Sequence, residues 1–250
     1  MNVLIVGANG YMGPHVVEAL APHHRLRITD IKPAPEEIRQ RFPDHDYRDL
    51  DVTRQDEVAR AAEGMDTIVN LSVVRNDPLL AFHVNTIGCY HIMREAAKQG
   101  IRRVVNTGPH FTVAGPSYEQ FDFAIGPDVP PHPGTGLYPI TKSLGQEVCR
   151  VLATAHEIYV IDLLYYILRD DSELQAGTGG VPFLVTWRDA AEAVRLAVEI
   201  EEQRLPSRSE IFFILDDLPQ RKFVNEKARR ILGFEPRGVV PVLWERPRSG

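Results

Sequence analysis

NVLIVGANGYMG (Asn2–Gly13), with RLRITD (Arg25–Asp30) after it, is the stretch whose reading decides the fold. Val3-Leu4-Ile5-Val6 is an uninterrupted apolar run, the pattern of a strand buried on both faces of a parallel sheet. Gly7, Gly10 and Gly13 follow as G-x-x-G-x-x-G. Glycines at that spacing let a tight turn bring the backbone against a pyrophosphate, with Asn9, Tyr11 and Met12 as further contacts within the turn. The following helix presents its N-terminal amides there. Pro14 fits just inside that helix, where first-turn amides have no intrahelical partner.

A second strand, Leu26–Thr29, ends in Asp30, the place where a carboxylate can accept from the hydroxyls of an adenosine ribose. The same charge repels a 2′-phosphate, so the predicted cofactor is NAD rather than NADP, with Lys32 the one nearby cation pulling the other way. The alternation of strands and helices that follows predicts an α/β doubly wound parallel sheet, a Rossmann arrangement, with ligands at the carboxyl ends of the strands. Residues 1–165 are expected to form the NAD-binding domain, and 166–250 a small C-terminal substrate-binding portion interleaved with the sheet.

Working outward, the 250 residues, 44% of them hydrophobic, suffice for one sizeable core. The net charge of −6, without a basic run, argues against nucleic acid as a partner. No apolar run is long enough to span a bilayer and no basic leader precedes the first strand, so a cytoplasmic protein without a membrane partner is expected. Cys89 and Cys149 lack metal-ligand spacing and read as buried thiols; neither a disulfide nor a metal site is expected.

A polar connection with a short helix over Glu36–Arg41 leads to a strand over Asp46–Val52. Its end places Asp51 and Val52 where a carboxylate can accept from adenine's amino group, although Asp51 can equally hold the turn into the next helix. That helix covers Asp56–Glu63. A fourth strand, Thr67–Leu71, opens into Ser72-Val73-Val74-Arg75-Asn76, expected over the nicotinamide ribose, with Arg75 at the mouth of the substrate cleft. A long helix over Pro78–Gln99, closed by Gly100, precedes a fifth strand, Ile101–Thr107. The Pro- and Gly-rich connection 108–137 is long enough to imply a functional role. Beyond it come a helix from Tyr138 to about Ala155, a strand over Ile158–Leu164, an irregular segment to Gly180, a helix over Asp189–Glu202, a strand over Ile211–Leu215 and a helix over Lys222–Leu232.

Tyr138 and Lys142 lie four apart, on one face of their helix. A free tyrosine ionises near 10, too high for a base at neutral pH, but an adjacent ammonium and an oxidised nicotinamide both favour the phenolate. Tyr138 is therefore the candidate general base for a substrate hydroxyl. Lys142 is its electrostatic partner and a contact to the nicotinamide ribose.

These residues in this order resemble the extended short-chain dehydrogenase/reductase superfamily, which includes the NAD-dependent epimerase/dehydratase family. The resemblance rests on the three glycines, Asp30, Asp51-Val52, Asn70-Leu71-Ser72-Val73, Asn85 within VNTIG, and Tyr138 with Lys142. The short length, the passage from Pro127 to Lys142 and the closing LGFEP look most like the uronate dehydrogenases. The resemblance implies oxidation, reduction or epimerisation at a carbinol carbon. It also implies NAD contacts from Leu71, Ser72, Val73 and Asn85, and a homodimer packed through the Asn85 and Tyr138 helices.

Three departures from the superfamily pattern stand out. A serine or threonine hydroxyl expected after the fifth strand is replaced by Asn106-Thr107-Gly108-Pro109-His110-Phe111-Thr112, which leaves Thr107, His110 or Thr112 as the third catalytic member. His110 could also relay protons or touch the substrate. The Asp-Glu pair of the sugar dehydratases is absent, which disfavours dehydration. The arginine that helps uronate dehydrogenases grip a carboxylate after the sixth strand is replaced within Leu163-Leu164-Tyr165-Tyr166, so Tyr165 is expected to face the substrate instead. The expected function is NAD-dependent hydride transfer at the carbinol or keto carbon of a small, sugar-like substrate. The alternatives are an epimerase that retains its NAD and a non-catalytic NAD-binding sensor.

Overall fold

The computed structural model describes residues 1–175 and 181–240. The glycine-containing end of the segment read as irregular, 176–180, and the tail 241–250 lie outside the described residues. In chain order the elements are β1 (Asn2–Val6), α1 (Gly13–Leu20), β2 (Arg25–Asp30), α2 (Glu36–Arg41), β3 (Asp46–Asp49), α3 (Gln55–Ala62) and β4 (Thr67–Asn70). Then α4 (Pro78–Phe82) runs through a π-helical turn, His83–Ile87, into α5 (Gly88–Gln99), followed by β5 (Arg103–Pro109). After β5 come α6 (Pro116–Phe121), α7 (Leu137–His156), β6 (Tyr159–Tyr165), β7 (Ile167–Arg169), β8 (Leu184–Thr186), α8 (Trp187–Glu199), β9 (Ser209–Phe213) and α9 (Glu226–Leu232).

Seven strands form one parallel sheet in the order β3-β2-β1-β4-β5-β6-β9. The order reverses between β1 and β4, and in open α/β sheets the crevice at that point receives ligands. The strands are buried on both faces, so alternate residues of one strand feed two cores. Val3 and Ile5 pack with Val16 and Val17 of α1 and Ala190 and Val194 of α8. Leu4 and Val6 pack with Val58 of α3, Ile92 and Met93 of α5 and Cys149 of α7. A third core, around Phe183, Phe213 and Phe223, fills the space beyond the carboxyl ends of β5 and β6. Both cysteines are free and buried. No helix among the described residues is long and apolar enough to cross a membrane.

The fold matches the doubly wound sheet expected from the first strand and its turn. Differences arise where tertiary hydrogen bonds override local pattern. The third strand stops at Asp49 rather than Val52, because Leu50 makes the last backbone bond to Asp30 and Asp51 then turns the chain. The last helix begins at Glu226, since Arg221 and Lys222 accept backbone bonds from Ala124 and Ile125. The helix expected over Pro78–Gln99 is continuous but contains the π-helical turn at the VNTIG passage. The connection 108–137 carries a 3-10 turn, His110–Thr112, as well as α6. The segment after β6 contains β7, paired in parallel with β8.

Candidate active site

The first turn is built by close backbone approach. Gly7 adopts φ +82°, and a Cβ there would lie 2.7 Å from the Ser72 nitrogen. At Gly13 a Cβ would lie 1.8 Å from the Ala8 carbonyl oxygen, so α1 starts hard against the turn. Asp30 is aimed by the same turn. Its Oδ2 accepts from the Asn9 amide at 2.9 Å, while the Asn9 side chain donates to the carbonyls of Lys32 and Pro33. Oδ1 of Asp30 has no hydrogen-bond partner among the described residues. These features fit a dinucleotide: glycines no side chain can replace, helix amides at the end of β1, and one carboxylate oxygen open to a ribose.

From this turn a cavity of about 500 Å³ runs across the carboxyl ends of β4, β5 and β6. Gly7, Gly10, Tyr11, Met12 and Gly13 line one end; Leu71, Val73 and Arg75 line the wall after β4. Thr107, Gly108, Tyr138, Lys142 and Tyr165 line the other end. The structure therefore brings the glycine turn and the Tyr138–Lys142 pair onto one cavity, although 125 positions separate Gly13 from Tyr138.

Lys142 is 2% exposed, and its Nζ donates to the carbonyls of Ser72 and Thr107, both at 2.9 Å. Burial lowers its pKa, against the pull of Cys89 and the Asp162 carboxyl. Asp162 closes a ladder across three strands. Ser72 Oγ donates to Asn70 Oδ1 at 2.6 Å, Asn70 Nδ2 to Asn106 Oδ1 at 2.9 Å, and Asn106 Nδ2 to Asp162 Oδ1 at 2.7 Å. Burial pushes the Asp162 carboxyl up to about 7, opposed by Asn106 and Lys142. Sequence reading missed this ladder; its one signal was an Asn or Asp after two β-branched residues in each of three strands, Ile68-Val69-Asn70, Val104-Val105-Asn106 and Val160-Ile161-Asp162.

Tyr138 is half-buried, and burial raises its pKa, opposed by the Arg75 guanidinium. Arg75 Cζ stands 5.2 Å from the centroid of the Tyr138 ring. The cation acting on this phenol in the structure is thus Arg75, where the sequence pointed to Lys142.

Asn85 does not line the cavity. Its side chain bonds both backbone groups of Val74 and donates to Thr141 Oγ1 at 2.9 Å, which ties the β4 loop to α7 through the π-helical turn. Asp51 Oδ1 accepts from the amide and hydroxyl of Thr53, the local turn role open to it, and the Val52 carbonyl bonds His91. His110 is buried away from the cavity, stacked on Phe183 at 4.5 Å and ringed by Phe111, Tyr166 and Phe223. Tyr165 lines the cavity with its ring, while its hydroxyl donates to the Ala190 carbonyl at 3.2 Å. The Thr107 hydroxyl donates to the Asn70 carbonyl and that of Thr112 to Pro109, both at 2.9 Å.

Gly108, which with Pro109 stands where the superfamily resemblance places a hydroxyl, packs against α7. A Cβ there would lie 2.7 Å from Gln146 Nε2, so the glutamine, one turn beyond Lys142 on α7, fills the volume a serine side chain would need. Nε2 itself is buried without a partner among the described residues.

Residues 3–166 match the model of the NAD-dependent epimerase/dehydratase family. The chain belongs to that family. It is accordingly an NAD-dependent enzyme of the short-chain dehydrogenase/reductase kind. No curated protein matches the sequence. Among solved structures, a uronate dehydrogenase from Agrobacterium tumefaciens superposes with TM-score 0.73 at 20% identity, over 94% of this chain and 84% of that one. A UDP-glucose 4-epimerase from Thermotoga maritima gives 0.72 at 16% identity, over 95% and 94%. A partial-consensus L-threonine 3-dehydrogenase gives 0.75 at 16%, over 95% and 94%. At these identities the likeness is one of fold.

Proposed function

We propose that the chain catalyses hydride transfer between NAD and the carbinol or keto carbon of a small substrate, with Tyr138 as general base. The observation that carries this reading is the shared cavity, with the glycine turn at one end and Tyr138 and Lys142 at the other. NAD, when bound, supplies the hydride acceptor. The Gly7–Gly13 backbone and the α1 amides hold its pyrophosphate, and Asp30 Oδ1 accepts from its adenosine ribose. Lys142 Nζ, with two protons directed at carbonyls, has a third for the ribose near Tyr138. Tyr138 takes the substrate hydroxyl proton, and Arg75 favours the phenolate that does so.

In this reading residues 1–165 bind NAD and 166–250 complete the substrate side. A homodimer would cover the exposed apolar side chains of Ile140, Leu144 and Val151 on α7 and Phe82 and Tyr90 on α4 and α5. The Gln146 amide packed against Gly108, with no serine or threonine at 108 or 109, favours a second reading, an NAD-binding sensor without turnover.

The test is NADH formation by purified protein with added NAD over a panel of sugars, polyols and hydroxy acids. Net NADH formation is the expected result. Tightly retained NAD with substrate isomerised and no net NADH would make the chain an epimerase. Saturable NAD binding with no turnover of any kind would make it a sensor.

A further inference from the structure

The substrate end of the cavity is poor in the groups a sugar requires. Among the described residues lining the cavity there is no Asp, Glu, Asn, Gln, Ser or His side chain. The hydroxyls of Thr107 and Tyr165 donate to backbone carbonyls, and Lys142 is held by two more. A pyranose carries a hydroxyl on most ring carbons, and each one buried without a partner costs about 1–3 kcal/mol. What the wall offers instead is mainly ring and alkyl surface from Phe111, Tyr166 and Leu168, with the Tyr166 hydroxyl as its one polar point. These side chains are held in place: Phe111 meets Tyr166 edge-on at 5.4 Å and Tyr138 edge-on at 5.8 Å.

One charge completes the set. Arg75 lines the cavity beside the Tyr138 ring and makes no ion pair among the described residues. A guanidinium is a planar fork of donors matched to a carboxylate, and it stands next to the group that takes the proton. The glycine turn that receives the pyrophosphate lies at the far end of the cavity, so Arg75 is placed for the substrate rather than for the phosphates.

We propose that the substrate is a small hydroxy or keto acid with a flat apolar body, its carboxylate held by Arg75 and its body by the Phe111 and Tyr166 wall beside Tyr138. This rests on the reading of Tyr138 as base and deepens it by naming the substrate class. In the oxidative direction the carbinol C–H bond breaks and its electron pair and hydrogen pass to NAD, giving NADH. The hydroxyl proton goes to Tyr138 and the carbinol becomes a ketone.

Four compounds separate the contributions: mandelate has the flat body and the carboxylate, 1-phenylethanol the body alone, glucuronate the carboxylate alone, and glucose neither. Mandelate is expected to exceed each of the others in kcat/KM with NAD by at least about tenfold. Arg75→Met should raise KM for mandelate by at least about tenfold and abolish its advantage over 1-phenylethanol, while any fall in kcat from losing the cation beside Tyr138 should be the same for both compounds. Independently of turnover, benzoylformate should quench the fluorescence of NADH bound to the wild type, and Arg75→Met should weaken that titration by at least about tenfold. NAD affinity of the variant should remain within about threefold of wild type. A preference for glucuronate or glucose, or an Arg75→Met variant that binds benzoylformate like wild type, would overturn the proposal while leaving Tyr138 as base. Failure of NAD itself to bind would instead remove the reading beneath it.

Discussion

The two ends of the cavity are built in different ways. At the glycine turn the working parts are backbone: amides at the start of α1, the left-handed Gly7, and one carboxylate aimed by the amide of its neighbour in space, Asn9. At the Tyr138 end they are side chains drawn from the β4 loop, β5, α7 and β6, and most of their polar atoms are bonded to backbone or to one another. A site made of backbone is fixed by a short stretch of sequence, whereas a site made of side chains depends on which segments the sheet brings side by side. The first end should therefore fail through local substitutions, and the second through changes in how segments are tied together.

The largest effect belongs to the second end. Tyr138→Phe should reduce turnover by about two to four orders of magnitude, measured as NADH formation, the usual contribution of a positioned acid or base. At the first end, Gly13→Val should weaken NAD binding by at least about a hundredfold in calorimetric titration, since even its Cβ would overlap the Ala8 carbonyl. A circular dichroism spectrum like that of the wild type would show that the loss is local.

An intermediate effect separates tie from contact. Asn85→Ala should lower stability by about 2 kcal/mol in urea unfolding, because it leaves the part-buried amide and carbonyl of Val74 without their side-chain partner. It should reduce turnover more than NAD affinity, as a residue that orients the β4 loop against α7 would. Equal losses of both would mean that Asn85 serves the cofactor directly.

The smallest effect concerns a buried carboxyl pair outside both ends. Burial and the neighbouring Asp189 carboxylate raise Asp216 to about 8, while its Oδ2 accepts from the Thr186 amide at 3.0 Å. A carboxyl whose folded pKa is raised contributes stability that is full below its unfolded value and lost as pH rises through the folded one. Asp216→Asn removes that loss. Its melting temperature should exceed that of the wild type by a few degrees near about pH 9 and converge with it towards acid pH. Asp162, raised to about 7, keeps the same sign of dependence in both proteins.

The same contrast explains what could be read from the chain. The Val3–Val6 run, the glycine spacing and Asp30 sit within one βαβ unit, so sequence alone placed them, and the sheet order followed from strand and helix alternation. The Tyr138–Lys142 pair was legible as a helix turn, and its placement on the cavity follows from the β5–α7 crossover. What stayed hidden depends on contacts across elements. The Asp162 ladder joins residues from three strands, Gln146 fills the space above a glycine on another element, and Arg75 reaches a ring on α7. His110 falls in the position of an active-site loop residue, yet the phenylalanines of the third core draw it behind the wall. Nothing in their local sequence marks those rings as its neighbours.

In this reading Tyr138 acts on the substrate, while the glycine turn, Asp30 and Lys142 hold the cofactor without the phenol. This division is tested most directly by titrating the wild type and Tyr138→Phe with NAD in one calorimeter under one buffer. Dissociation constants within about threefold of each other are expected, since the phenol oxygen contributes a proton acceptor and little binding energy. A variant that loses NAD affinity tenfold or more while remaining folded would contradict it and make the tyrosine part of the cofactor's seat.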